Sequence, residues 1–161
     1  MTIKVGDELP SVTLRQVTPE GPKEINTKEF FRGKKVALFA VPGAFTPACS
    51  QRHLPGYVDK ASDIKAKGVD EVACVAVNDA AVMTAWGKDQ KTEGKVTMLA
   101  DGSGDFVRAL GLELDLTKAG LGIRSKRYSM LVDDGVVKSL NIEQQPGQVD
   151  VSSAEAMLRA L

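Results

Sequence analysis

Two cysteines and one histidine are the side chains of this 161-residue chain best suited to nucleophilic chemistry. Cys49 ends the segment PGAFTPAC, which begins at Pro42, and Cys74 lies in the apolar run VACVAV. Two cysteines in a chain of this length do not form a disulfide framework, and with one histidine they cannot assemble a recognisable zinc site. Each cysteine is therefore either a small hydrophobic residue of the core or a reactive thiol.

The residues before Cys49 have the features of a helix start. Thr46 is a good N-cap residue and Pro47 suits the first helical position, so Cys49 falls at about the third position of the first turn. The backbone N–H groups of that turn lack intrahelical partners and carry partial positive charge, which favours a thiolate over a neutral thiol. We expect Cys49 to be an exposed, reactive thiolate, with a buried structural cysteine as the alternative.

The elements that must position this segment alternate between strand and helix. Apolar runs predict buried strands at Lys35–Val41, Val72–Val77 and Val96–Ala100. Helical periodicity predicts amphipathic helices at Leu54–Ala66, from Asn78 through Trp86, around Phe106–Leu110 and at Ala154–Leu161. Gly68 would close the first of these helices, and Ser152 or Ser153 would cap the last. A strand, a helix and a second strand over this distance imply a right-handed parallel crossover.

A second pattern predicts an antiparallel β-hairpin. The turn residues Asp133-Asp134-Gly135 separate two β-prone runs, Tyr128–Val132 and Val136–Leu140. A parallel crossover followed by a hairpin and a terminal helix matches a thioredoxin-like α/β fold, with a central mixed β-sheet flanked by helices. The length fits one domain covering residues 1–161, and no linker or internal repeat interrupts it.

Composition argues against several classes of partner. Lys plus Arg and Asp plus Glu both number 21, so the chain has no net charge with which to attract nucleic acid. The segment Met1–Pro10 lacks an apolar signal core, and no stretch approaches the roughly 18 to 20 apolar residues of a membrane span. We expect a cytoplasmic protein with no membrane partner, although a processed organellar form would have the same features.

The segment PGAFTPACS, followed by His53-Leu54-Pro55-Gly56, resembles the active-site stretch of peroxiredoxins, specifically the type II or peroxiredoxin-five subfamily. The resemblance extends along nearly the whole chain, through Val5–Asp7, Val77–Asp79, Trp86-Gly87, Leu99–Asp101 and Lys126–Met130. It implies a thiol peroxidase that reduces hydrogen peroxide and small organic hydroperoxides without metal, haem or flavin. It also implies a homodimer packed near the active-site loops. Phe45 would lie at that interface or, alternatively, line the pocket or the core.

The same resemblance assigns roles to individual residues. Cys49 would attack one peroxide oxygen and become a sulfenic acid. Thr46 would hydrogen-bond the reactants and Pro42 would shield the sulfur, roles compatible with helix capping and strand termination. Arg127, in its Lys-Arg-aromatic-Ser-Met context, matches the family's catalytic arginine. Its neighbours Arg124 and Lys126 compete with it by sequence position.

Two rival enzyme classes and one non-enzymatic class remain. His53 lies four residues after Cys49, a helical spacing that would suit a Cys-His hydrolase, but no residue is evident that would orient the imidazole. We therefore expect His53 to serve in packing or surface hydrogen bonding. The absence of a Cys-x-x-Cys motif disfavours a thioredoxin or disulfide isomerase. A non-enzymatic redox sensor is the alternative function, because it needs the same kind of thiol.

Cys74 is the only internal candidate for a resolving thiol. A disulfide needs Cα atoms within about 7 Å, and one cysteine is predicted in a buried strand while the other starts a helix. Local unfolding would therefore be required. The resemblance leaves two positions for a resolving cysteine: some members of the subfamily are proposed to use one at the strand position of Cys74, and others have theirs near the C-terminus. The matching C-terminal stretch Val149–Ser152 has no cysteine. We expect reduction by an external thiol, with glutathione or glutaredoxin ahead of thioredoxin.

Overall fold

Seven strands form one mixed sheet in the computed structural model, which describes all 161 residues. The strands are β1 (Thr13–Thr18), β2 (Gly21–Asn26), β3 (Lys35–Val41), β4 (Glu71–Ala76), β5 (Thr97–Ala100), β8 (Tyr128–Asp133) and β9 (Val136–Ile142). Their spatial order is β2-β1-β5-β4-β3-β8-β9. The central strands β3, β4 and β5 are parallel, and all other pairs are antiparallel. A separate hairpin pairs β6 (Glu113–Leu116) with β7 (Gly122–Ser125).

Five α-helices flank the sheet: α1 (Thr27–Phe31), α2 (Leu54–Ala66), α3 (Ala80–Gln90), α4 (Asp105–Leu110) and α5 (Ala154–Ala160). A π-helical turn, Cys49–His53, leads directly into α2, and a 3-10 turn, Thr117–Ala119, separates β6 from β7. None of these helices combines the length and the apolar character needed to cross a bilayer.

Apolar side chains cover both faces of the sheet, which explains why β3 reads as a continuous apolar run. Successive residues of a strand point to opposite faces, so Phe39 and Cys74 belong to a cluster of 19 buried residues shared with α2, α3 and α5. Leu38 and Val75 belong to the opposite cluster of 17 buried residues, shared with α1 and α4. The sheet is therefore buried between two layers of helices.

The central mixed sheet and its flanking helices agree with the prediction, and the predicted strands and hairpin match to within one or two residues. The closing helix is capped by Ser153, whose hydroxyl accepts a hydrogen bond from the backbone N–H of Ala156. Strands β1, β2, β6 and β7 and helix α1 were not predicted. These strands are partly exposed, and no long apolar run marks them in the sequence.

The antiparallel register of β8 brings distant residues to the edge where β3 ends. Tyr128 of β8 pairs with Ala40 of β3 and with Ile142 of β9. Arg127, just before β8, and Glu143, just after β9, therefore lie beside the loop that leaves β3. Their backbones are joined, since the N–H of Glu143 donates to the carbonyl of Arg127 at 2.9 Å. Open α/β sheets bind their ligands at this edge, beyond the carboxyl ends of the parallel strands.

Candidate active site

A tight loop, Pro42–Ala48, connects β3 to the helix that carries Cys49. The hydroxyl of Thr46 donates to the carbonyl of Gly43 at 2.6 Å. A side chain at position 43 would place a Cβ 3.0 Å from Nη1 of Arg124 and 3.2 Å from Cγ2 of Thr46, so any larger residue here would require these side chains to shift by a few tenths of an ångström. The lone pairs of the Thr46 hydroxyl remain free to accept a hydrogen bond from a reactant.

Phe45, within this loop, has a backbone φ of 63°, in the left-handed region that costs a bulky L-residue roughly 1–2 kcal/mol. Two contacts hold the strained segment. The N–H of Ala44 donates to Oδ1 of Asn78 at 2.9 Å, and the ring of Phe45 lies 6.4 Å from the ring of Trp86. Strained backbone of this kind persists where the surrounding structure over-determines it, as it does at many functional sites.

The helix begins at Pro47, as predicted, but its first turns differ from the prediction in two respects. The side chain of Thr46 does not cap the helix, because its hydroxyl donates to Gly43 instead of accepting from the first turn. Residues Cys49–His53 form a π-helical turn rather than an α-helical one, in which the N–H of Leu54 donates to the carbonyl of Cys49. Such π turns occur frequently at functional sites.

Cys49 is completely buried, which contradicts the expectation of an exposed thiol. The sequence pattern placed Cys49 correctly at a helix start but could not show what would cover it. A charged group from the residue just before β8 lies against the sulfur: Nη2 of Arg127, itself 2% exposed, donates to Sγ of Cys49 at 3.1 Å. A buried cation requires hydrogen-bond acceptors, and an anionic sulfur is a favourable one.

Three different contacts hold the guanidinium of Arg127. Nη2 reaches Cys49, Nη1 donates to Nδ1 of His53 at 2.8 Å, and Nε donates to the carbonyl of Pro146 at 3.0 Å. Because the guanidinium is planar and its donors have fixed directions, contacts at all three nitrogens determine its orientation. Arg127 is thus aimed at the sulfur before any substrate arrives.

His53 is a neutral base in this network. Burial, followed by the positive charge of Arg127, lowers the pKa of His53 from 6.5 to about 3, against the opposing effect of the Ser152 carbonyl. Nδ1 therefore accepts from Arg127, and Nε2–H donates to the carbonyl of Ser152 at 3.0 Å. With Nδ1 occupied by a cation, His53 is not available as the base of a Cys-His hydrolase. The expected hydrogen-bonding role is present, but inside the protein rather than on its surface.

Arg124 and Lys126, the competitors of Arg127, do not contact the sulfur. The side chain of Arg124 donates from Nε to the carbonyl of Leu121 at 2.8 Å and from Nη1 to the carbonyl of Pro42 at 3.4 Å. Lys126 is exposed to solvent. Pro42 is buried at the start of the active-site loop, consistent with the shielding position implied for it.

Cys74 has a very different setting from Cys49, although both are free thiols of the same apolar cluster. It lies in β4, paired in register with Phe39 on one side and Met98 on the other. Burial, followed by the negative charge of Cys49, raises the pKa of the Cys74 thiol well above its usual value, against the opposing effect of Arg127. Cys74 is therefore a neutral thiol among apolar neighbours.

Several contacts of the site were missed by the sequence analysis. The backbone carbonyls of Pro146 and Ser152 accept hydrogen bonds from Arg127 and His53, but a backbone carbonyl has no signature in the residue type. The indole N–H of Trp86 donates to the hydroxyl of Ser50, next to Cys49, at 3.0 Å. The spacing of 36 residues between these two partners offers no local signal.

No group of three or more His, Cys, Asp or Glu side chains is arranged to hold a metal ion. A surface groove of about 890 Å³ runs between the start of α2 and α5. Its lining includes Arg52, Asp59 and Arg159 but not Cys49. The reactive groups brought together at the site are the buried sulfur of Cys49 and the guanidinium of Arg127.

The chain is similar to a protein family model, to known proteins and to solved structures. The Redoxin family model matches residues 4–158. Peroxiredoxin-2E, chloroplastic, of Arabidopsis thaliana is 52% identical over 164 residues, which cover 99% of this chain and 70% of that protein. Reduced Prx3 of Vibrio vulnificus, in a crystal structure with H2O2, shares 53% identity and a TM-score of 0.93 over 99% of each chain. Peroxiredoxin 5 of Alvinella pompejana shares 41% identity and a TM-score of 0.86, covering 98% of this chain and 97% of that one. These similarities confirm the predicted thioredoxin-like fold.

Proposed function

Because this chain belongs to the Redoxin family and, like its peroxiredoxin relatives, is a thiol peroxidase, we propose that Cys49 is its peroxide-reducing residue and Arg127 its activating cation. The predicted similarity to type II peroxiredoxins is confirmed by the same comparisons. One observation carries the assignment: the 3.1 Å contact between Nη2 of Arg127 and Sγ of Cys49. A guanidinium does not lose its proton in proteins, so it stabilises a thiolate at every working pH.

The proposed reaction has one covalent step on the protein. The Cys49 thiolate attacks one oxygen of the peroxide, a sulfur–oxygen bond forms, and the oxygen–oxygen bond breaks. The sulfur is oxidised to a sulfenic acid, and the departing oxygen takes up a proton to leave as water from hydrogen peroxide or as an alcohol from an organic hydroperoxide. Arg127 stabilises the negative charge that passes from sulfur to the departing oxygen.

Thr46 and Pro42 are proposed to prepare the site for this step. The Thr46 hydroxyl already donates to the Gly43 carbonyl, so it offers only its lone pairs and accepts the O–H of an incoming peroxide. Buried Pro42 has no N–H of its own and keeps water away from the sulfur. Because Cys49 has no exposed surface, a covering group must move for the peroxide to enter.

We propose that an external thiol reduces the sulfenic acid, with glutathione or glutaredoxin ahead of thioredoxin. The attacking species in such exchanges is a thiolate, and the raised pKa of Cys74 disfavours that form. Cys74 is also enclosed in the central sheet. One donor thiol forms a mixed disulfide with Cys49 and releases water, and a second releases Cys49 as the thiol and leaves as the donor disulfide.

Peroxide consumption coupled to each donor system tests both proposals. We expect sustained turnover of hydrogen peroxide and an organic hydroperoxide by the wild type and by Cys74→Ser, and none by Cys49→Ser. Undiminished turnover by Cys49→Ser would contradict the assignment of the reacting sulfur. Loss of turnover by folded Cys74→Ser with every donor would contradict recycling by an external thiol alone. A single stoichiometric oxidation of the wild type, with no turnover, would instead support a redox sensor.

The predicted homodimer is also a proposal, supported by apolar surface beside the active-site loop. Phe45 is 53% exposed, and Ile123, next to the Arg124 that contacts the loop, is 47% exposed. Large apolar side chains exposed to water are candidates for an interaction surface. Sedimentation velocity should show a dimer that Phe45→Asp dissociates, while Val5→Asp, at an exposed residue of the N-terminal segment, leaves it intact. A monomeric wild type would refute the dimer.

A further inference from the structure

The segment between β9 and α5, residues 143–153, is tied at its base by one carboxylate; we call it the β9–α5 loop. Oε2 of Glu143 accepts hydrogen bonds from the N–H of Asp150 at 2.7 Å, the N–H of Ser152 at 2.8 Å and the hydroxyl of Ser152 at 2.6 Å. Glu143 is 8% exposed and Ser152 fully buried, whereas residues 144–148 between them are exposed. The hydrogen bonds of Glu143 therefore form at the buried base of the loop, while residues 144–148 extend into solvent.

Glu143 is ionised in this arrangement. Burial would raise the pKa of its carboxyl group, but the hydrogen bonds from Ser152, Asp150 and Val151 outweigh burial and lower the pKa below its usual value. Hydrogen bonds to an ionised acceptor are shorter and about twice as strong as those between neutral groups. The hydrogen bonds to this carboxylate therefore hold in place a loop that contains no regular secondary structure of its own.

The fastened loop supplies two carbonyl oxygens that orient the active-site cation. The carbonyl of Pro146 accepts from Nε of Arg127 at 3.0 Å. The carbonyl of Ser152 accepts from His53 at 3.0 Å and from the hydroxyl of Tyr57 at 2.8 Å, and His53 in turn accepts from Nη1 of Arg127. Two of the three guanidinium nitrogens therefore depend on this loop, and only the third contacts the sulfur.

We propose that Glu143 is a positioning residue for the peroxidase reaction, whose carboxylate holds the β9–α5 loop in the conformation that aims Arg127 at Cys49. The inference rests on the proposed roles of Arg127 and Cys49. Its physical basis is that charge stabilisation in a catalytic site depends on donors fixed in advance, and misplacement by about 1 Å can slow a reaction by roughly a hundredfold. Freeing the loop should slow the reaction in a protein that is still folded.

The test compares Glu143→Gln and Ser152→Ala with a matched control, Glu71→Gln. Glu71 is also a partly buried carboxylate with two partners, Lys34 at 2.6 Å and Thr97 at 2.5 Å, but it lies where β4 begins, at the opposite edge of the sheet. The measurements are the second-order rate constant with hydrogen peroxide, by stopped-flow fluorescence, and the pH midpoint of Cys49 alkylation.

We expect Glu143→Gln to lower the rate constant about tenfold, the usual size for a lost charge-assisted contact or supporting residue, and to move the alkylation midpoint to higher pH. Ser152→Ala, which removes one of the three hydrogen bonds, should lower the rate about threefold. Glu71→Gln should change neither quantity. If Glu143→Gln does not fold, Ser152→Ala carries the same test.

A double variant separates positioning from general stabilisation. If Glu143 acts through Arg127, Glu143→Gln should have little further effect in an Arg127→Lys background, since residues in one network are not additive. An unchanged rate and midpoint in Glu143→Gln would overturn the inference, as would an equal fold-loss in both backgrounds. If Arg127→Lys alone leaves the rate constant unchanged, the role assigned to Arg127 is wrong. If Arg127→Lys lowers the rate constant but Glu143→Gln does not, only the role proposed for Glu143 is wrong.

Discussion

The two cysteines of this protein are equally buried, yet only one is placed for chemistry. Cys49 and Cys74 both have no exposed surface, and both belong to the same apolar cluster. Cys49 lies in the first turns of a helix and receives a hydrogen bond from a guanidinium, whereas Cys74 lies in β4, between the parallel strands β3 and β5. Burial alone therefore does not decide whether a cysteine can carry a negative charge; the polar groups that reach its sulfur also matter.

The difference has a simple energetic origin. An anion inside a protein is strongly destabilised unless a cation or several donors compensate for lost water. Around Cys49, Arg127 supplies that compensation, and its own charge is satisfied by His53 and Pro146. Around Cys74 no side-chain donor is close enough to bond the sulfur, so the thiol stays neutral and packs as a small hydrophobic residue.

The largest expected difference between the two regions is in alkylation rate. Under native conditions we expect iodoacetamide to modify Cys49 at least about a thousandfold faster than Cys74, because Cys74 is reached only through global unfolding, which costs at least about 5 kcal/mol. Peptide mass spectrometry on quenched samples measures both rates, and the same reaction in urea is the control in which the rates converge. If the two cysteines are alkylated at comparable rates in the folded protein, the proposed difference between their surroundings is wrong.

The next largest effect is expected from Arg127, the cation that contacts Cys49. Arg127→Lys should lower the rate constant for peroxide by about a hundredfold to a thousandfold, the range for loss of one preorganised donor, because lysine keeps the charge but not the three fixed contacts. Stopped-flow oxidation measures the rate. Lys126→Met is the matched control, since Lys126 is exposed and adjacent in sequence. An equal loss in the control would show that local charge, not geometry, matters.

A smaller effect is expected from Thr46, in the loop between β3 and Cys49. Thr46→Val keeps the shape of the side chain but removes the donor to Gly43 and the acceptor for peroxide, and it should slow oxidation by about tenfold to a hundredfold. Thr46→Ser restores the hydroxyl and should recover most of the rate. If serine does not rescue the activity, the hydroxyl is not the group that matters.

The smallest expected effect is a pH dependence of stability confined to the polar network of Cys49. The pKa of His53 is about 3 in the folded protein and 6.5 in the reference state, so the unfolded chain binds a proton first as the pH falls below 6.5. The free energy of unfolding should therefore decrease from about pH 6.5 towards pH 5, by up to about 1.4 kcal/mol per pH unit. His53→Gln should flatten this slope in urea unfolding, because His53 is the only histidine. Cys74→Val should retain the slope; a flat wild type would refute the explanation.

Much of the fold and part of the site could be predicted because their signals are local. Continuous apolar runs marked β3, β4 and β5, and an Asp-Gly turn marked the β8–β9 hairpin. The spacing of Pro42, Thr46 and Cys49 belongs to one loop and helix start, so the structure keeps them together. The exposure of Cys49 and the capping by Thr46 were wrong, because both depend on what packs over the segment.

Hydrophobic pattern and turn chemistry act over a few residues, so the sequence was enough to predict the central mixed sheet and the helix start at Pro47, and to favour Cys49 over Cys74 as the reacting thiol. Which cation reaches the sulfur of Cys49, and which groups hold that cation, depends instead on contacts between residues far apart in the sequence. Strand side chains alternate between faces, so the pairing of β8 with β3 turns Arg127 inward, towards the face of Cys49, and leaves Lys126 exposed. The carbonyls that aim Arg127 belong to the backbone of a loop nineteen or more residues away, where residue type carries no signal.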